Sequence, residues 1–276
     1  MSASAGDVRG AAARWLATYD QALAAVVATE RCAQRVRRKE PANLTEATST
    51  RELVSEFAWV AVLGGRDVVG VRAVRLVDGR AVGKDGRLDA LLRAPAPEQE
   101  AQVAILLDES VKFLQVPSAV NFNFPTFALA YLRPENAERA KWSLRNGPTP
   151  ATAELRFRET GRTLVRTPEG RPIKAEGSLV VERTTGRIVE TDVQLSDARI
   201  YSGPPPSLET VLYQAHVRFA DEPRLGLSVP AVMEDRYAWR LSATENQNLG
   251  LHLVIEGRST YTEYRRFGTE ARIVPQ

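Results

Sequence analysis

Cysteine is almost absent from this 276-residue chain: Cys32 stands alone, so no internal disulfide can form. Histidine is nearly as scarce, with only His216 and His252. That inventory argues against a zinc site, which needs clustered His, Cys or carboxylate ligands. No G-x-S-x-G elbow presents a serine nucleophile, and no G-x-G-x-x-G is present. Gly83-Lys84 lacks both the upstream glycine and the following hydroxyl of a phosphate-binding loop. No apolar run approaches the roughly 20 residues that span a bilayer. Met1 to Gly10 are small and polar, without the apolar centre of a signal peptide. Excess charge is also lacking: the net charge is +3, too small to argue for nucleic acid.

What the chain does contain is β pattern. Asp7 is a fitting N-cap, and Val8, Ala12, Trp15, Leu16, Tyr19, Leu23, Val26 and Val27 then recur at helical spacing, which predicts a helix over 8–30. Arg31 to Lys39 reads as a strand, broken by Pro41 and Asn43. Arg51 to Leu63 and Val68 to Val77 read as a hairpin about Gly64-Gly65. This hairpin is apolar on both faces in its second strand half. A half-exposed antiparallel strand keeps one polar face, so a helix, a second sheet or a ligand must cover the other. Pro97 opens a helix running to about Gln115, apolar on more than one stripe and therefore read as buried on most sides. Thr126 to Leu132 reads as a short helix between prolines.

From Ala153 the strands succeed one another. Thr184-Thr185-Gly186 is a hairpin loop with Gly186 as its left-handed residue. Val211, Tyr213, Ala215, Val217 and Phe219 point inward; so do Met233, Tyr237, Trp239 and Leu241, and then Leu249, Leu251, Leu253 and Ile255. The fold class expected is α+β: a strongly curved antiparallel sheet or open half-barrel covered by two or three helices. One domain, 1–276, is expected, with an N-terminal helix at 8–30, first strands at 31–77, a helical cover at 97–132 and the main sheet at 153–267.

Candidate chemistry is thin. His216 lies between inward Ala215 and Val217, and His252 between Leu251 and Leu253, so both read as solvent-facing. Cys32 lies beside Arg31, which could lower its pKa, but reads as a small buried residue. Glu234 and Asp235 are strand neighbours on opposite faces and cannot act on one substrate atom. Arg31, Arg35, Arg37 and Lys39 share one strand face. That stripe is either an anion-binding or partner-docking surface, or a solvated face or charge-protected edge. Tyr201-Ser202-Gly203-Pro204-Pro205-Pro206 reads as a stiff rim loop.

Three stretches carry a resemblance. They are Gly177-Ser178-Leu179-Val180-Val181-Glu182-Arg183-Thr184-Thr185-Gly186-Arg187-Ile188, then Leu225-Gly226-Leu227-Ser228-Val229-Pro230-Ala231-Val232-Met233-Glu234-Asp235-Arg236-Tyr237, and Thr260-Tyr261-Thr262-Glu263-Tyr264-Arg265-Arg266-Phe267. Together these resemble an uncharacterised family of bacterial exported proteins and, more distantly, the outer-membrane lipoprotein-carrier superfamily, in which a helix-covered half-barrel holds acyl chains. The front half, Gln34 to Gln115, has no matching motif. The resemblance implies a periplasmic, non-catalytic binding or carrier protein for an apolar ligand. The residues alone leave a cytoplasmic location open. The partners implied are an apolar ligand or an acylated protein, with no cofactor, metal, nucleic acid or transmembrane segment. The alternative is an envelope interaction or assembly protein with a filled core and no ligand. For the carrier, the expectation is a cavity of ~300–1,000 Å³ under the helix of Glu98 to Gln115. Its lining is expected to be Phe57, Trp59, Leu63, Tyr213, Tyr237, Trp239 and Leu251.

Overall fold

The computed structural model describes residues 4–267 apart from 25, 41–42, 63–66, 84–85, 115–123, 167–169, 202–206 and 244–245. Leu63, Gly64-Gly65, Gln115 and the Pro204-Pro205-Pro206 loop lie outside the described residues. Among the described residues, three α-helices, α1 (Ala5–Leu23), α2 (Arg87–Arg93) and α3 (Ala96–Phe113), accompany twelve strands. The strands are β1 (Val26–Glu40), β2 (Asn43–Val62), β3 (Asp67–Val77), β4 (Arg80–Ala81), β5 (Ala140–Asn146), β6 (Thr152–Glu159), β7 (Val165–Arg166), β8 (Pro172–Glu182), β9 (Ile188–Tyr201), β10 (Ser207–Glu222), β11 (Leu227–Ala243) and β12 (Asn246–Arg266). They form an open antiparallel sheet of order β4-β3-β2-β1-β12-β11-β10-β9-β8-β6-β5, with β7 paired to β8 off that path.

Local chemistry explains the first helix and corrects both of its ends. Ser4, not Asp7, is the N-cap. Its hydroxyl accepts from the Asp7 amide at 3.2 Å while Asp7 Oδ2 accepts from the Ser4 amide at 3.0 Å, a reciprocal capping box. The helix stops at Leu23, and Val26 and Val27 already belong to β1. Their helical spacing continues the row, but a Val-Val pair is β-branched and fits a pleated strand better.

Helix α1 crosses the strands near one end of the sheet. Arg9 lies over the Trp142 ring of β5, Ala11 lies against Gly186, Tyr19 meets Phe219 of β10, and the Ala22 carbonyl accepts from Arg266 of β12. Its buried residues Val8, Ala12, Leu16, Tyr19 and Leu23 join one core with the 3₁₀ helix Phe127–Leu132 and the inward residues of every described strand but β4. This face is the inner face. Residues as far apart in strand order as Trp59 on β2 and Phe157 on β6 share that core, which requires the sheet to curve around α1.

Helix α3 was expected over the inner face, and this is corrected. Leu88, Leu91, Val103 and Leu106 pack on Val27, Ala58, Val60, Val71 and Ala73, which have the opposite strand parity from Phe57 and Trp59. They therefore cover the outer face of the β2–β3 hairpin. That is the cover its two-sided apolar pattern demanded. Helix α3 is not buried on most sides: Val103 and Leu106 are buried, while Ile105 is 55 % exposed. After Phe113 the chain reaches the inner face, where Leu114 packs on Cys32, Leu53 and Val74. Strand β5 and helix α2 were not anticipated. The Asn146-Gly147-Pro148 break is the turn between β5 and β6.

Candidate functional site

The inner face can be described rung by rung from the strand pairing. At the α1 end it is filled. The Phe57 and Trp59 rings meet edge-on with centroids 4.8 Å apart, Phe57 meets Tyr261 at 5.5 Å, and Trp59 stacks on Tyr264 at 6.2 Å. Tyr264 in turn donates its hydroxyl to the Pro230 carbonyl. Phe57 and Trp59 are thus completely buried core.

Below those rings lies a buried set of charged and polar groups. Glu30 of β1 and Arg72 of β3 face each other with side chains 0 % and 1 % exposed. The guanidinium grips the carboxylate with two nitrogens, Nε on Oε2 and Nη2 on Oε1, the latter at 2.7 Å. Tyr261 on β12 adds its hydroxyl to Glu30 Oε1 at 2.9 Å. Such fork-to-fork pairing with a third donor makes a buried ion pair tolerable. Burial alone would lower the Arg72 pKa, but the Glu30 carboxylate outweighs it and holds the guanidinium charged.

Asp235 of β11 is a second acid in the same region and is 5 % exposed. It pairs in register with Gly257 of β12 and Ala215 of β10. Its carboxyl lies directly over Gly257: a β-carbon there would sit 2.3 Å from Asp235 Oδ1. The glycine makes the room that the acid occupies. Burial pushes the Asp235 pKa up to about 7; Arg72 pulls it down, and Glu30 adds to the rise. Cys32 is buried beside Ser259, and desolvation, followed by the Glu30 charge, raises its thiol to about 12. It is not a thiolate nucleophile at neutral pH. Gln34 reaches the Leu114 carbonyl with its amide nitrogen at 2.9 Å.

Toward the other end, where β1, β9 and β11 end, the inner face opens. Tyr213 and Tyr237 pair directly across β10 and β11 and are buried. Burial raises the hydroxyl pKa of both. The next positions, Val36, Val211, Trp239, Leu241, Leu251 and Leu253, still point inward but are only half-buried. This apolar floor has a polar rim: Trp239 Nε1 donates to Glu209 at 2.8 Å, and Arg171 bonds Asp197 at 2.6 Å.

Of the seven residues expected to line one cavity, Tyr213, Tyr237, Trp239 and Leu251 gather on neighbouring strands at this open end. Phe57 and Trp59 lie in the filled half. The buried charges were missed. Asp235 falls between inward Met233 and Tyr237, so strand parity alone places it inside. Glu30 was concealed by the overlong helix and Arg72 by its hydrophobic neighbours.

Away from the hairpin that α2 and α3 cover, the outer face is largely polar. A groove of about 690 Å³ runs over β5 to β11 and carries Arg156, Arg158, Glu176, Asp192, His216 and Glu234. His216 is half-buried there, with Nδ1 3.0 Å from Asp192 and Nε2 3.2 Å from Glu190. His252 is half-buried on the same face. Among the described residues no group of three or more His, Cys, Asp or Glu side chains could hold a metal ion. No helix among them is long and apolar enough to cross a membrane.

No family model and no curated protein matches the chain. Among solved structures it is similar to a DUF1329 family protein from Desulfovibrio piger ATCC 29098, at 9 % identity and a TM-score of 0.35, over 96 % of this chain and 94 % of that one. A likeness at that score carries no argument about function. The lipoprotein-carrier resemblance has no counterpart in these comparisons.

Proposed function

We propose that this is a non-catalytic binding or carrier protein of the bacterial envelope, an open half-barrel that takes an apolar ligand on the floor around Trp239. One observation supports this reading: the inward apolar rows of β1, β10, β11 and β12 continue past the packed core and stay half-open. An unligated soluble protein rarely leaves such a surface contiguous. Each methylene buried there would contribute about 0.8 kcal/mol, so an acyl segment could bind without a catalytic or ionic anchor. Glu209, Asp197 and Arg171 would then meet the polar end of the ligand. A lipoprotein acyl chain fits this description.

The test is mass spectrometry of an organic extract of the purified protein, followed by titration with a fluorescent fatty acid. The Trp239→Glu variant should fold and lose the titration, because an unpaired charge then sits on the floor. An extract without a stoichiometric apolar compound, together with no titration by the parent, would favour the second reading. That reading is an envelope assembly protein without cargo, and the full burial of Phe57 and Trp59 in the filled half is the observation that favours it.

A further inference from the structure

We infer that the outer face of the sheet, at the end away from α1, is a docking surface for an anionic lipid bilayer. Three successive rungs define it. The first runs Thr50, Arg35, Glu256, Arg236, Gln214; the second Thr48, Arg37, Val254, Ala238, Leu212; the third Glu46, Lys39, His252, Arg240, Thr210. All these positions share the parity of Val27 and Ala58, hence one face. The rungs hold Arg35, Arg37, Lys39, Arg236 and Arg240 against two acids, Glu46 and Glu256.

Glu256 is already engaged by Arg37 at 2.8 Å. Among the described residues, Arg35, Lys39, Arg236 and Arg240 have no ion pair; this contrasts with Arg156, Arg158, Arg187 and Arg258 elsewhere on the sheet, each paired with an acid. Arg35 and Arg240 are exposed, Lys39 and Arg236 half-exposed. The next rung toward α1, Glu52, Ala33, Arg258, Glu234, carries two acids to one cation and closes the patch on that side.

The middle rung is what favours a bilayer over an acidic protein or a free anion. Val254, Ala238 and Leu212 form a half-buried apolar strip between two cationic rows. Cations flanking an apolar strip match the headgroup and upper acyl layers of an anionic membrane, as on interfacial amphipathic elements. The positive field is also felt by His252, whose pKa is lowered by burial and then by Arg240 and Lys39. The patch resolves the two readings of the basic stripe in favour of docking, and it lies on the same end of the strands as the floor around Trp239. It does not depend on that floor.

The experiment is flotation of the full chain with vesicles of pure phosphatidylglycerol and of pure phosphatidylcholine. Binding to the former, released by raised salt, and indifference to the latter are expected. The variant Arg35→Gln/Lys39→Gln/Arg236→Gln/Arg240→Gln should partition on the order of a thousand-fold less well, since each cation near such a surface is worth about 1 kcal/mol. A control, Arg14→Gln/Lys112→Gln/Arg145→Gln/Arg224→Gln, removes four exposed cations outside the three rungs, has the same net charge and should bind as the parent does. Should four changes unfold the chain, the pairs Arg35/Lys39 and Arg236/Arg240 are changed separately, each expected to lose on the order of thirtyfold. Equal loss in the control, or a parent that ignores phosphatidylglycerol at low salt, overturns the inference and leaves the patch to an acidic protein. The measurement needs no cargo, so its failure is separable from failure of the apolar floor.

Discussion

Asp235→Asn should make the protein more stable at neutral pH and leave it nearly unchanged in acid. The carboxyl is buried in the sheet, close to a Glu30 carboxylate already satisfied by Arg72 and Tyr261. Its pKa rises from an ordinary 3.8 to about 7, chiefly through burial. A folded-state pKa above the unfolded one means that the native chain keeps a proton the unfolded chain releases. Stability therefore falls as pH rises through the window from 3.8 to about 7 and levels off above it. At about 1.4 kcal/mol per tenfold, that difference corresponds to about 4 kcal/mol. The amide carries no charge and has nearly the same shape, so it escapes this loss. Urea unfolding of parent and variant at a series of pH values between these limits measures it. The stability of the variant relative to the parent should climb with pH, approach ~4 kcal/mol and then flatten. A difference that is flat across the window would refute the reasoning, since it would mean that Asp235 is ionised in the native protein throughout.

Arg72→Leu should destabilise by about 3–5 kcal/mol, because it strands the Glu30 carboxylate in the core; adding Glu30→Leu should restore much of that loss, as chemical denaturation would show. Gly257→Ala should be destabilising because its β-carbon would meet Asp235 Oδ1 at 2.3 Å, and Gly257→Ala should be far better tolerated in an Asp235→Ala background, a coupling read from a double-mutant cycle. Gly186→Val should lose well over 1 kcal/mol, since φ is +75° and the added side chain would also meet the Ala11 carbonyl of α1 at 2.4 Å. Cys32 should react with a thiol reagent far more slowly in the native protein than in denaturant, because burial holds it as a neutral thiol.

Alternating residues and turn glycines were sufficient to read β2, β3 and β8 to β12 from the chain, because strand periodicity is a local property. The helix of α3 was equally legible from Pro97 and its acidic first turn. What local pattern could not supply was which side of the sheet each helix takes. The apolar residues of α3 fit either face, and only the assembled sheet shows that Val71 and Ala73 await Val103 and Leu106 on the outside. The boundary between α1 and β1 failed for a related reason. Val26 and Val27 satisfy both a helical row and a strand, and the choice is made by their pairing with Arg266 and Arg265 of β12, some 240 residues away.

The candidate site divides in the same way. Tyr213, Tyr237, Trp239 and Leu251 could be placed on one face by parity, since side chains two apart on a strand must share a side. That Phe57 and Trp59 belong to a packed core and not to the same open floor depends on α1 and the 3₁₀ helix crossing one end of the sheet, a long-range fact with no local signature. The buried triad of Glu30, Arg72 and Tyr261 joins β1, β3 and β12. Sequence by itself determined an antiparallel β protein with an inward apolar supply and a basic strand face, because two-residue alternation and charge are written position by position. Tertiary structure alone decided where that supply is filled, where it stays open, and which cations find no acid, because each of those depends on neighbours the chain brings together only when the sheet closes its rungs.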